Sequence, residues 1–293
     1  MDWQFQLISI YITVCEAWKK GICGVVQRFS NHSLFALTDE EVVCIYLFGI
    51  LSGCTTVKGV YDYTDRHLRD WFPTLGGYAA FCYRLNKISG GFTALCSEIV
   101  KSKENRLAVN WVTDSFPIIL AGSRRSGYAK VAPELADKGF CASKDLYFYG
   151  VKLHCVGELQ PQTIPLPSFI GVAPASTNDN RMFEQISSEL HNCKIFGDKA
   201  YADSEHRTHL AKNQDVQLLT PTKKIKGGFG FAGPDYFSTW VSAIRQPIES
   251  LFNWLQEKTK IQNASKVRSS AGLIVHIFGR ITAALLLMTN FNL

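Results

Sequence analysis

Trp111-Val112-Thr113-Asp114-Ser115-Phe116 sets a carboxylate in the middle of an apolar, β-rich stretch that runs from Leu107 to Leu120. A charged side chain in such a strand is costly to bury unless it is paired or holds a metal. The segment therefore reads as a strand built around Asp114, and the rest of the chain is read outward from it. Leu146–Val156 alternates aromatic and polar residues, with Tyr147, Tyr149, Val151 and Leu153 on one face. Ile164–Val172 is apolar, with Pro165 and Pro167 marking an edge. Asn178–Leu190 reads as a helix, Lys194–Gly197 as a short strand, Ser204–Lys212 as a helix and Val216–Leu219 as a strand. Lys223–Pro234 is a Gly- and Lys-rich loop, and a long helix begins near Pro247, a residue suited to the first helical position. Three strands, helix, strand, helix, strand, loop, helix is the order of a mixed α/β domain, expected over residues 104–293.

Residues 1–103 have a different period. Leu37-Thr38-Asp39-Glu40-Glu41 opens an apolar run through Ile50, with Thr38 as N-cap and Glu41 at the capping-box position. Gly53 ends it, and helical segments follow at Val57–Trp71 and Tyr78–Ile88, parted by Pro73 and Gly76-Gly77. Short helices joined this way suit a helix-turn-helix reader of DNA, and equally any small all-α domain.

Composition narrows the class. The net charge is +6, and all of that excess falls after Asn105. Within Pro221–Arg268 eight basic residues face three acidic ones, which points to a polyanionic partner. The nine Cys are odd in number and mostly in apolar surroundings, the pattern of reduced thiols in a cytoplasmic protein. Ala271–Met288 is apolar enough to resemble a membrane span, but it carries His276 and Arg280, and a central Arg costs roughly 2.5–3.5 kcal/mol on insertion scales. A buried core helix is expected instead, and no membrane partner. His191-x-Cys193 and His206-x-x-His209 match no common structural zinc spacing.

Three carboxylates stand where this strand order brings them together: Asp114 in the first strand, Asp198 after the fourth, and Glu249 in the first turn of the late helix. Singly, each has an ordinary reading as turn residue, strand-end cap or helix-N-terminal charge. Lys152 and His154 share one face of the second strand, and either contact phosphate or form a partly exposed sheet surface. Lys199 beside Asp198, and Lys223, Lys224 and Lys226 beside Gly227-Gly228, are candidate DNA contacts whose alternative is a solvated surface.

As a set these residues resemble the DDE transposases of prokaryotic insertion sequences, most of all the insertion-sequence-982 family, with the RNase H-like fold shared with retroviral integrases. The resemblance rests on Thr113-Asp114-Ser115-Phe116-Pro117, Tyr149-Gly150-Val151-Lys152-Leu153-His154 and Gly197-Asp198-Lys199-Ala200-Tyr201. It extends through Arg245-x-x-x-Glu249 with Phe252-Asn253-Trp254-Leu255, and Lys266-Val267-Arg268-Ser269. It implies that Asp114, Asp198 and Glu249 hold two Mg²⁺ ions (Mn²⁺ substituting), the clamp for in-line phosphoryl transfer. It also implies nicking of element ends, attack of the freed 3′-hydroxyl on target DNA, and a dimer or larger assembly on double-stranded DNA. Arg245, Lys258 and Lys260 complete the candidate DNA contacts. One departure is that related families carry Lys seven residues after the catalytic Glu, where this chain has Gln256. A hydrolysing nuclease of the same fold, or a DNA-binding protein with an inactive site, are the alternatives.

Overall fold

Thr38 and Glu41 form the reciprocal cap that their spacing predicts. Glu41 N donates to Thr38 Oγ1 at 3.2 Å, and Thr38 N donates to Glu41 Oε2 at 2.7 Å. The computed structural model describes residues 2–28, 36–103, 108–141, 145–222 and 235–290. Lys223, Lys224 and Lys226 lie outside the described residues. The chain divides into two units, one of Met1–Lys103, Lys130–Glu134 and Leu255–Leu293, the other of Glu104–Ala129 and Leu135–Trp254.

The first unit is helical. It contains α1 (Trp3–Ala17), the short α2 (Cys23–Val25), α3 (Asp39–Leu51), α4 (Val57–His67), α5 (Tyr78–Lys87), α6 (Ser89–Lys103) and α11 (Ser270–Asn290). The capped α3 is its centre, buried without a break from Val42 to Ile50. Asp39, the first residue of α3, is held between Arg28 and Arg84, so the buried acid has two cations. α11 is long and apolar enough to cross a membrane, yet 67% of that window is buried inside the structure, packed on α6, α3 and α5. Its Arg280 is buried, with Nη2 donating to Thr55 O at 2.6 Å and Nη1 to Thr259 O. His276 Nε2 donates to Ile261 O at 2.8 Å, which leaves Nδ1 bare to accept from Arg280 Nε at 3.3 Å.

The second unit is mixed α/β. Its strands are β1 (Asn110–Gly122), β2 (Asp137–Cys141), β3 (Leu146–Glu158), β4 (Leu166–Pro174), β5 (Cys193–Phe196) and β6 (Val216–Leu219). β3 pairs antiparallel with β1 along one edge, and with β2 and then β4 along the other; β1, β5 and β6 run parallel. α7 (Asp179–Ser187) connects β4 to β5 and α8 (Ser204–Asn213) connects β5 to β6, and α9 (Tyr236–Arg245) and α10 (Pro247–Thr259) follow. α10 begins in this unit and ends in the other. The expected element order holds, with β2 and α9 added. The alternation in β3 does not produce a wet face. As a central strand covered on both sides, β3 buries Phe148, Val151, Leu153 and also His154. α7 and α8 lie over the face that carries Trp111 and Val156, in one cluster with Phe183, Tyr201 and Leu210. α9 and α10 cover the other face, where Phe116 meets Phe252 at 4.5 Å and Phe196 meets Trp240 at 5.6 Å between ring centroids. All nine Cys are free thiols.

Two outcomes test this packing. A Cβ on Gly279 would stand 2.5 Å from Tyr46 Cε1 and 3.2 Å from Phe92 Cδ1, so Gly279→Ala should lower unfolding stability by about 1–3 kcal/mol in urea titrations. An unchanged midpoint would refute the close approach of α11 to α3. Burial first, then Arg280, push the His276 imidazole down to about 3. The unfolded chain titrates higher, near 6.5, so stability is complete above that pH and is lost as pH falls toward about 3. The slope is at most about 1.4 kcal/mol per pH unit. His276→Gln should lose less stability than the parent between pH 7 and pH 5; equal losses would exclude a buried neutral His276.

Candidate functional site

Asp114 enters the core because Trp111, Val112 and Phe116 on the same strand are buried, which carries the carboxylate with them. Its Oδ1 accepts from Ser115 N at 2.8 Å, and its Oδ2 accepts from Arg245 Nη1 at 2.6 Å. Burial, with Asp198 and Asp179 nearby, pushes Asp114 up to about 6 against the opposing pull of Arg245. The same guanidinium reaches Glu249 Oε1 through Nη2 at 2.7 Å. Arg245 closes α9 and Glu249 opens α10, so the break between the helices still leaves the two side chains paired across four residues. Buried Ile248 and Leu251, with the Phe116–Phe252 contact, fix the start of α10 over β1.

Asp198 lies two residues after the end of β5 and caps the turn Lys199–Tyr201, accepting from Ala200 N at 2.7 Å. Gly197 before it has no room for a Cβ to move freely, with Thr113 Cγ2 and Tyr201 Cδ2 each 3.2 Å from such an atom. Tyr201 reports on the whole cluster: burial pushes its phenol well above the usual range, and Asp114, Asp179 and Asp198 add to the effect. The structure thus brings Asp114, Asp198, Glu249 and Arg245 into one neighbourhood.

The remaining residues expected from sequence are placed differently. Ser115 faces His154 in the register and Pro117 faces Lys152, so Lys152 and His154 lie on the opposite face of the sheet from the Asp114 side chain. Lys152 Nζ donates to Thr177 O at 3.0 Å and to Asp179 Oδ1 at 3.1 Å. His154 is 2% exposed, 3.9 Å from Asp179, and pushed by burial down to about 4. Among the described residues, neither nitrogen of the neutral ring has a hydrogen-bond partner. Both residues are therefore tied to the interior rather than displayed on a surface. Lys199 is exposed. Lys258, near the end of α10, lies 3.3 Å from Glu257, and Lys260 follows the helix with φ 55°.

Asp179 is the residue that sequence reasoning missed. It opens α7 beside the N-cap Asn178, and its Oδ1 also accepts from Ser115 Oγ at 3.2 Å. A single carboxylate is thereby bonded to β1 and β3 next to Asp114. Its only signal was the helix-start pair Asn178-Asp179; the strand register that delivers Ser115 and Lys152 to it is a tertiary fact. α9 did carry a signal, the cap Asp235 accepting from Ser238 N at 2.9 Å ahead of Val241 and Ile244.

Carboxylate oxygens are the donors that hard divalent cations prefer, and Asp114, raised first by burial, also feels the charges of Asp198 and Asp179. The donor set fits such a cation. Among the described residues, no three acidic, His or Cys side chains already stand together as a cage. Arg245 is the cation between Asp114 and Glu249.

Residues 104–269 match the model of a protein family described as a transposase DDE domain. No curated protein matches the chain.

Removing the guanidinium leaves Asp114 buried among acids. Arg245→Ala should therefore move its titration above about 6, followed by carbon-detected NMR of labelled aspartate. A midpoint that stays or falls would show that Arg245 is not what keeps Asp114 ionised.

Proposed function

Because this chain belongs to the family of DDE transposases, we propose that it is a DNA transposase whose second unit cuts and joins DNA through Asp114, Asp198 and Glu249. The observation that carries the reading is the shared Arg245, which gathers the half-buried Asp114 and the helix-borne Glu249 beside Asp198. Antiparallel β4-β3-β1 continued by parallel β5 and β6 is the strand order that supports an RNase H-like fold. Within that family, the motifs quoted above favour a member of the insertion-sequence-982 group.

DDE transposase domains generally use divalent metal ions. Here Asp114, Asp198 and Glu249 would hold two Mg²⁺ ions, which supply Lewis acidity at the scissile phosphate when bound. The protein's own contribution is positioning. Arg245 keeps Asp114 ionised and turns Glu249 toward it. The Asp179 bonds to Ser115 and Lys152 lock β1 against β3, so the Asp114 backbone cannot drift. Lys199, exposed beside Asp198, is suited to meet a DNA phosphate, and Lys223, Lys224 and Lys226 have the composition for the same task. Lys258 and Lys260 are further candidates, whereas Lys152 is better explained as a support for Asp179 and His154 as a buried neighbour of it. The helical residues 1–103 would read the element ends, acting as a dimer or larger assembly on double-stranded DNA in the cytoplasm.

Asp114→Asn or Asp198→Asn should abolish cleavage of an element-end duplex while leaving its binding within about twofold, since the phosphate-contacting surface is untouched. Glu249→Gln should abolish cleavage and strand transfer, whereas Glu257→Gln, farther along α10 and 69% exposed, should keep at least about a tenth of the activity. Gel assays on folded variants decide this, and the reverse ranking of the two glutamates would move the site.

A further inference from the structure

The helical unit contains a cavity of about 540 Å³ that the carboxylate site does not use. Four cationic side chains line it, Lys58, Lys266, Arg268 and Arg280, and no Asp or Glu is among the described residues of the lining. Lys266 and Arg268 are exposed at the mouth, and among the described residues Arg268 bonds to the carbonyls of Ser265 and Val267, at 2.8 Å each. Arg280, 2% exposed, forms the floor; its guanidinium bonds to the carbonyls of Thr55 and Thr259, the ring of His276 and the Tyr46 hydroxyl, none of them a carboxylate. Lys58 pairs with Asp62 at 2.6 Å on the outside and lies 5.0 Å above the Tyr78 ring.

With Lys58 partly offset by Asp62, the like charges of Lys266, Arg268 and Arg280 around one concavity repel one another, and an anion seated among them reverses that cost. The remaining lining is of the kind that holds such an anion. Asn86 and Thr56 add polar groups, and Ser269 caps α11, accepting from Gly272 N at 3.1 Å. The first turn of α11 carries no acidic side chain, so the positive end of a 21-residue helix adds to the field. Glu134 accepts from the Ser270 hydroxyl, outside the lining. Arginine and lysine together, around a space far larger than a chloride ion, match a tetrahedral oxyanion.

We propose that this cavity is a phosphate site, filled by a backbone phosphate of DNA. The transposase reading enters only as the source of that phosphate; the site itself stands on the lining. It gives Lys266 and Arg268, which have no place among the carboxylates, a task of their own.

The test uses the full chain and the double variant Lys266→Ala/Arg268→Ala, whose exposed positions leave folding intact. Inorganic phosphate, compared with chloride at equal ionic strength, should raise the thermal midpoint of the parent and not of the variant. The salt dependence of affinity for a non-specific duplex should become shallower by about 2 in log–log slope, about 0.9 per lost contact. A lost phosphate shift with an unchanged slope keeps the site and overturns DNA as its occupant. No phosphate shift in the parent and an unchanged slope overturn the site altogether. Cleavage by the parent in that last case leaves the transposase reading standing, while phosphate binding by a protein that never cleaves sinks that reading alone.

Discussion

A carboxylate in the central strand of a sheet has to be met by positive charge, and in this protein one arginine meets it. Arg245 bonds to Asp114 and Glu249 through different nitrogens, so its planar fork sets both acids at once. Much of the second unit is arranged so that this residue arrives. α9 ends on it, α10 starts two residues later at Pro247, and the aromatic contacts of Phe252 and Trp240 hold both helices on the sheet. Replacing the arginine by a neutral residue would leave an acid buried without compensation, the costly half of a broken ion pair.

One unit half-buries an arginine and the other buries one fully, and the company each keeps decides what it is available for. Arg245 is saturated by carboxylates, so its charge is spent on orienting them. Arg280 is satisfied geometrically by carbonyls, an imidazole and the Tyr46 hydroxyl, which accept its hydrogen bonds without carrying a carboxylate's charge. The first arrangement fixes acidic groups where phosphate chemistry needs them; the second projects positive potential into a cavity.

What could be read from sequence was whatever local rules determine. The Thr38–Glu41 cap and the apolar run behind it gave α3 its start, and the order of strands and helices around Asp114 followed from period and turn residues. Asp114 itself stood out because its neighbours are apolar. Three things were hidden. Lys152 and His154 share a face as alternation requires, but which face that is, and that α7 seals it, depends on packing. Asp179 looks like any helix-start acid until the β1–β3 register brings Ser115 and Lys152 to it. β2 is five residues containing Asp137, Lys138 and Gly139, too short and polar to show a period.

The Asp114–Arg245 bond joins residues 131 positions apart. Ribosomes add about 5–20 residues per second, so Arg245 is made roughly 7–26 s after Asp114. The antiparallel pairing of β1 with β3 needs only nearby chain and can form during that interval. Throughout it, the α9–α10 side of β1 stays open and Asp114 keeps its water. The completion of this sheet is therefore timed by translation rather than by strand pairing, and a nascent chain stalled before α9 would expose an unsealed, acidic strand to chaperones and proteases.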